Sequence, residues 1–181
     1  MKLKIVKDSN PIMRKRSLPV EMPLSEEDKE TLDAMLDYLK KSQDEEYAKK
    51  HNIREGVGLA AIQIGLLKRM FVVYFQDEAG NQVQYQLVNP IITETSLRKC
   101  ALENGEGCLS VDNEHHGLVH RYYKIKMKAF DALQNKDIEI SAKGFPAIVL
   151  QHEYDHLNGM FFYDHINKNE PDKRLMNEEI I

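Results

Sequence analysis

The chain has 181 residues, with 25 Lys+Arg against 29 Asp+Glu, for a formal net charge of −4. Apolar residues make up 42% and charged residues 30%, usage that fits one globular domain with a real core and excludes global disorder. The mildly acidic balance leaves no electrostatic footprint for specific DNA binding, and no run of 18 apolar residues is present to cross a membrane.

Met1-Lys-Leu-Lys-Ile-Val-Lys7 runs into Asp8-Ser9-Asn10-Pro11 without the apolar stretch of a secretory signal. The two cysteines, Cys100 and Cys108, fit a reduced cytoplasmic compartment in which a thiol is free for metal or chemistry. Asn10-Pro11 predicts an N-cap and first helical position for a short turn over Ile12 to Arg16. Ser25, with Asp28 three residues on, has capping-box spacing. Leu32, Met35, Leu36 and Leu39 then recur at helical steps and predict one apolar stripe laid on the core. Ser42 to Lys50 is charged on nearly every face and reads as a solvated extension or loop.

The pattern changes to strand after Gly65. Met70 to Phe75 is β-rich and ends at the turn Asp77 to Asn81. Gln84 to Asn89 and Ile91 to Thr95 read as two further strands separated by Pro90. Lys124 to Ala129 alternates as a half-buried antiparallel strand, returning through Asp131 to Asp137 into Ile138 to Ile140. A final apolar helix is expected from Phe145-Pro146 to a C-cap at Gly159. Blocks of strand with helices at both ends give an α+β fold. In it, antiparallel and mixed strands pack around a buried central helix, with a second helix near the N-terminus. Residues 1–166 are expected to form one catalytic domain and 167–181 a C-terminal tail.

Gln151-His152-Glu153-Tyr154-Asp155-His156 contains H-E-x-x-H. Residues four apart on a helix stand one above the other, so His152 and His156 can grip one metal ion, with Glu153 near a bound water. Taken alone, the motif fits equally well a pair of core-edge histidines satisfied by backbone. A third ligand decides between them. Downstream, Asp164, His165, Glu170, Glu178 and Glu179 form no recognisable arrangement. Upstream, Glu106-Gly107-Cys108-Leu109-Ser110 offers a thiolate in a glycine-flanked turn, completing a Cys/His/His set with one open position. Cys100 has no such turn and reads as a structural thiol. Gly56-Val57-Gly58-Leu59-Ala60-Ala61-Ile62-Gln63 lacks the ending of a phosphate loop; it suits backbone passing close to a ligand, with the Gln63 amide aimed into the site.

The three segments G-V-G-L-A-A-I-Q, E-G-C-L-S and Q-H-E-Y-D-H resemble the signature motifs of the peptide deformylase family, in the family's order. The resemblance runs from Lys4 to about Ile166 and is to the longer form found in Gram-positive bacteria. Ile62 departs from the Pro or Thr common there. It implies removal of the formyl group from N-formylmethionyl nascent chains, with release of formate. It also implies a cytoplasmic enzyme in transient contact with the ribosome. One divalent ion, natively iron(II) with zinc or nickel as substitutes, would be held by Cys108, His152 and His156. Glu153 would act as base and then acid, with the Gln63 amide and the Leu109 N–H stabilising the oxyanion. Val57, Phe145, Ile148 and Val149 would form the methionine pocket, with Leu109 at its edge. Gly58 and Gly107 would offer backbone to an extended peptide, and Glu106 with Arg121 would brace the cysteine loop. Asp155 is expected to face solvent, with orienting a histidine as its alternative, and His51, His115, His116, His120 and His165 to lie on the surface or in loops. The alternatives are an H-E-x-x-H zinc metallopeptidase and an inactive metal- or peptide-binding relative.

Overall fold

A computed structural model describes residues 3–181; Met1 and Lys2, at the start of the expected domain, lie outside them. The Asn10 side chain accepts from the Ile12 N–H and opens a 3-10 turn over Pro11–Arg14, slightly shorter than expected. The first long helix, α1 (Glu26–Ser42), is capped by Ser25, whose hydroxyl accepts from the Asp28 N–H and donates to the Asp28 carboxylate at 2.8 Å. Glu26, Glu27 and Asp28 in its first turn and Lys40 and Lys41 in its last complement the helix dipole. Leu32, Met35, Leu36 and Leu39 are all within 5% of complete burial, a stripe worth about 1.5–3 kcal/mol per side chain.

Segment 42–50, expected as a solvated extension or loop, is solvated but largely helical, most of it lying in helix α2 (Glu45–His51). Asp44 caps it by accepting from the Tyr47 N–H, and Asn52 closes it in the left-handed conformation. None of its residues is buried, so no apolar period announces it.

The strands, in chain order, are β1 (Gly58–Ala60), β2 (Met70–Gln76), β3 (Gln82–Thr95), β4 (Lys99–Ala101), β5 (Arg121–Tyr122), β6 (Lys124–Asp131), β7 (Lys136–Lys143) and β8 (Glu179–Ile180). An antiparallel sheet runs β1-β2-β3-β6-β7, and a smaller mixed sheet runs β5-β4-β8. Pro90 does not separate two strands. β3 passes through it with register shifts between Val88 and Ile91 and between Ile92 and Glu94, and Asn89 takes φ 52°. A bulge leaves a residue unpaired, which accommodates a proline that has no N–H to donate.

β2 is covered on both faces. Phe71, Val73 and Phe75 join Ala147, Val149 and Leu150 of helix α3 (Phe145–His156), while Met70 and Val72 meet the α1 stripe. β6 instead keeps Lys124 and Lys128 outside and Ile125, Met127 and Ala129 inside. Helix α3 is thus central, buried by the large sheet on one side and by β5 and the chain ends on others. Its C-cap is Leu157, not Gly159. Gly159 turns the chain two residues later at φ 72°, where a Cβ would strike the Arg14 carbonyl.

The last residues are tied down. β8 lies parallel to β4, the Ile181 N–H donates to the Ala101 carbonyl, and the Glu103 N–H donates to the Ile181 carbonyl, both at 2.9 Å. No helix among the described residues is long and apolar enough to cross a membrane.

Candidate active site

Three stretches converge on one cleft of about 370 Å³: Arg54 to Gly58 with Gln63, Leu102 with Glu106 to Leu109, and the face of α3 bearing Phe145, Ile148, Val149, His152 and Glu153. β1 is held beside β2 by antiparallel pairing from Gly58 opposite Val73 to Ala60 opposite Phe71. Gln63 follows in a 3-10 turn. Its Oε1 accepts from the Ala60 N–H at 2.8 Å, which turns its Nε2 toward Ser110 Oγ at 3.1 Å and Cys108 Sγ at 3.5 Å. The Gln63 amide thus points into the cleft, as the sequence led one to expect.

Cys108 begins a tight turn closed by the Val111 N–H on the Cys108 carbonyl at 3.2 Å. Its sulfur lies 3.3 Å from His156 Nε2. One donor atom from each of Cys108, His152 and His156 falls within 4.8 Å of the others. His152 Nδ1 is engaged 2.8 Å from Glu106 Oε2, which leaves Nε2 for a metal and fixes the ring's orientation. A thiolate with two imidazoles is a donor set suited to zinc or iron, so the residues present fit a divalent ion. The downstream acids supply no third ligand; His165 pairs with Asp155 at 2.7 Å instead.

The electrostatics follow from burial and pairing. Burial alone would raise the Cys108 thiol, but the two histidines outweigh it and draw the thiol well below its ordinary range. Burial likewise opposes charge on His152, yet Cys108 and Glu106 hold it well above the ordinary histidine value. Glu153 is 3% exposed. Burial pushes its carboxyl up, His152 and His156 pull it back, and it comes to rest at about 7. Its Oε2 has no hydrogen-bond partner among the described residues. A Cβ at Gly58 would collide with this carboxylate, so glycine is what admits Glu153 beside β1. At Gly107 a Cβ would meet nothing within 4 Å.

Behind the cleft lies a charged network. Arg121 holds both Glu106 oxygens, Nε to Oε1 at 2.8 Å and Nη2 to Oε2 at 2.9 Å, and its Nη1 pairs with Asp155. Burial would lift Glu106, but the Arg121 guanidinium and the His152 hydrogen bond bring it down to about 2. Asp155, expected in solvent or orienting a histidine, is thus a largely buried anion between Arg121 and His165. Its place on α3 facing β5 is set by tertiary packing that local sequence does not display. Gln151 supplies that packing. Its side chain accepts from the Tyr122 N–H and donates to the Tyr122 carbonyl, both at 2.9 Å, and so pins β5 to α3.

The expected ligands, Glu153, Gln63, Leu109 and the pocket residues Val57, Gly58, Gly107, Phe145, Ile148 and Val149 all border this cleft or its floor. Glu106 and Arg121 meet behind it. Residues not foreseen are Arg54, Leu102, Ser110, Gln151, Asp155 and His165. Of these, Ser110 carried a signal as the last residue of E-G-C-L-S, and Gln151 and Asp155 as members of Q-H-E-Y-D-H. His120, expected on the surface or in a loop, lies in the loop before β5 and pairs with the buried Glu178 side chain at 2.6 Å.

Residues 2–172 match the family model described as polypeptide deformylase. A peptide deformylase of Staphylococcus epidermidis is 50% identical over 168 residues, covering 92% of this chain and 91% of the relative. Peptide deformylase 2 of Bacillus subtilis is 47% identical over 173 residues, covering 96% and 94%. The crystal structure of a probable peptide deformylase from Synechococcus phage S-SSM7 superposes with a TM-score of 0.73 at 33% identity, over 91% of this chain and all of that one. With the motifs, the fold and these relatives in agreement, the chain belongs to the peptide deformylase family.

Proposed function

We propose that the chain removes the formyl group from N-formylmethionyl polypeptides and releases formate, using the cleft between β1, the Cys108 turn and α3. The observation that carries this reading is the meeting of Cys108, His152 and His156 within 4.8 Å beside the buried Glu153. A divalent ion bound by those three side chains supplies Lewis acidity, lowering the pKa of a water from about 15.7 toward about 7. The Cys/His/His set accommodates iron(II), zinc or nickel, and iron(II) is the ion that the family resemblance implies.

Glu153, with a carboxyl at about 7, is matched to accept a proton from the attacking water and return it to the departing amine. The Gln63 Nε2 protons and the Leu109 N–H stabilise the oxyanion that forms on the formyl oxygen. Val57, Phe145, Ile148 and Val149 receive the methionine side chain, with Leu109 at the rim, and the backbones of Gly58 and Gly107 pair with the extended peptide. Glu106, held by Arg121, keeps His152 oriented. We assign residues 1–166 to the catalytic domain and 167–181 to a tail. The reaction belongs in the cytoplasm, in transient contact with the ribosome, where formylated chains emerge.

The zinc-peptidase alternative needs a downstream ligand, and the candidate His165 is engaged with Asp155. The test is to incubate anaerobically purified protein with formyl-Met-Ala-Ser and with its acetyl counterpart. Formate from the first and no cleavage of the second is expected. Equal cleavage of both, or of internal peptide bonds, would overturn the reading.

A further inference from the structure

Arg54 is a half-exposed arginine to which the expected chemistry assigns no role, yet its guanidinium is spent on backbone. Nη2 lies 3.0 Å from the Cys108 carbonyl, 2.9 Å from that of Leu109 and 3.0 Å from that of Val111, and Nη1 lies 3.0 Å from the Val111 carbonyl. Asp112 Oδ1 completes the set at 3.2 Å. An exposed arginine that only needed solvation would not gather three carbonyls from one turn.

Its approach is built. Ile53, just before it, donates its N–H to the Ala48 carbonyl of α2 at 3.0 Å. Gly56, just after it, donates to Ser42 Oγ at 3.0 Å, and its carbonyl accepts from Gln43 Nε2 at 2.9 Å, at the end of α1. The segment after α2 is therefore anchored on both sides of Arg54, which it delivers to the Cys108 turn.

The Cys108 carbonyl belongs to the same peptide unit as the Leu109 N–H. Two donors meet that carbonyl, the Val111 N–H and Arg54. Hydrogen bonds at one end of a peptide polarise it and strengthen donation at the other, and a charged donor does so most. The Leu109 N–H itself donates to no acceptor among the described residues. We propose that Arg54 is a positioning residue for the reaction, orienting and polarising the Cys108–Leu109 peptide so that its N–H stabilises the oxyanion. This rests on the deformylase reading and on the Leu109 N–H as an oxyanion donor.

Lys7 provides the control. It donates to the Leu109 carbonyl at 3.2 Å, on the next peptide along, and to Asp112 at 2.7 Å. It braces the same turn without touching the peptide that carries the Leu109 N–H.

The test is steady-state deformylation of formyl-Met-Ala-Ser by metal-loaded wild type, Arg54→Ala, Arg54→Lys and Lys7→Met, with metal content and thermal melting measured on each. Removing a whole oxyanion donor costs about 10²–10³ in kcat, so weakening one through its peptide is expected to cost about tenfold in Arg54→Ala, with KM changed less than about twofold. Added guanidinium ion is expected to recover part of that loss, Arg54→Lys to fall between, and Lys7→Met to stay within about twofold of wild type. In metal-free protein the Leu109 amide nitrogen resonance is expected to move upfield in Arg54→Ala. Should Arg54→Ala fail to fold, Arg54→Gln, neutral but of similar reach, is read by the same criteria.

A raised KM with unchanged kcat would make Arg54 a substrate contact and overturn the proposal. So would wild-type kcat in a folded, metal-loaded Arg54→Ala, or an equal loss in Lys7→Met, which would reduce the effect to bracing of the turn. Wild-type protein that releases no formate would sink the deformylase reading itself, whatever Arg54 does.

Discussion

Cys100 sits in β4 between β5 and β8, fully buried, while Cys108, eight residues on, sits in a turn with its sulfur against His156. Burial opposes ionisation of both. At Cys100 burial prevails: Glu178, Glu179 and Glu106 add to it against the lesser pull of Arg121, and the thiol is pushed up to about 12. At Cys108 the imidazoles of α3 reverse it, and the thiol falls well below its ordinary range. Depth of burial therefore does not distinguish a reactive or ligating sulfur from an inert one. The charge that the fold brings alongside does.

The sharpest way to break this comparison is to remove the chemistry on one side only. Glu153→Gln keeps the shape of the cleft and abolishes proton transfer, and is expected to lower formate release by about 10²–10⁴ with metal retained. Cys108→Ala is expected to lose both metal and activity, measured by elemental analysis and by formate. Metal retained at wild-type affinity in Cys108→Ala would place the ion elsewhere and end the equivalence drawn between sulfur and site.

Two glycines sharpen the same point about local crowding. Gly58→Ala drives a methyl group into the Glu153 carboxylate, and misplacing a catalytic group by about 1 Å costs on the order of 10², so a loss of that size in kcat/KM is expected. Gly107→Ala meets open space and is expected to lose far less. A Gly58→Ala loss of less than about twofold would mean that Glu153 yields freely and that Gly58 is not what admits it.

Legibility followed the same division between local and long-range causes. The α1 stripe, the β2 run and the alternation of β6 repeat within a few residues, so period alone reveals them. His152 and His156 are one helical turn apart, and their chemistry is readable at that distance. α2 has no apolar face, and β3 carries a proline through a bulge, so neither presents the pattern its geometry would predict. The Glu106–Arg121–Asp155–His165 network joins residues 15, 34 and 10 positions apart along the chain. Family resemblance paired Glu106 with Arg121, but Asp155 and His165 do not show their link to that pair until β5 is laid on α3. Arg54 was hidden for the same reason, since its partners are carbonyls 54 to 57 residues away.

Thiol alkylation compares the two sulfurs directly. In metal-free protein, Cys108 keeps its thiolate as pH falls from 8 toward 6, where an ordinary thiol near 8.5 loses reactivity about tenfold per unit. Its rate with iodoacetamide is expected to be nearly flat across that window, and metal is expected to suppress it. Cys100, with its thiol at about 12, is expected to stay unmodified throughout while the fold holds. Mass spectrometry of tryptic peptides separates the two. A Cys108 rate that climbs tenfold per unit would mean that the histidines do not hold the thiolate.

The smallest effect is expected on the Cys100 side. Cys100→Ala removes one buried sulfur between β5 and β8 and leaves every group of the cleft in place. Small deletions of this kind in a packed core cost about 1–2 kcal/mol, to be read as a lowered urea midpoint with unchanged slope. kcat and KM are expected to hold, because the backbone pairing of Cys100 with Arg121, which ties β4 to the charged network behind the cleft, survives the substitution and the Cys108 turn has its own ties to Lys7 and Arg54. A fall in kcat without a fall in stability would show that the tail and β4 do set the geometry of the Cys108 turn. The two cysteine regions would then be one mechanical unit, and the contrast between them would be electrostatic only.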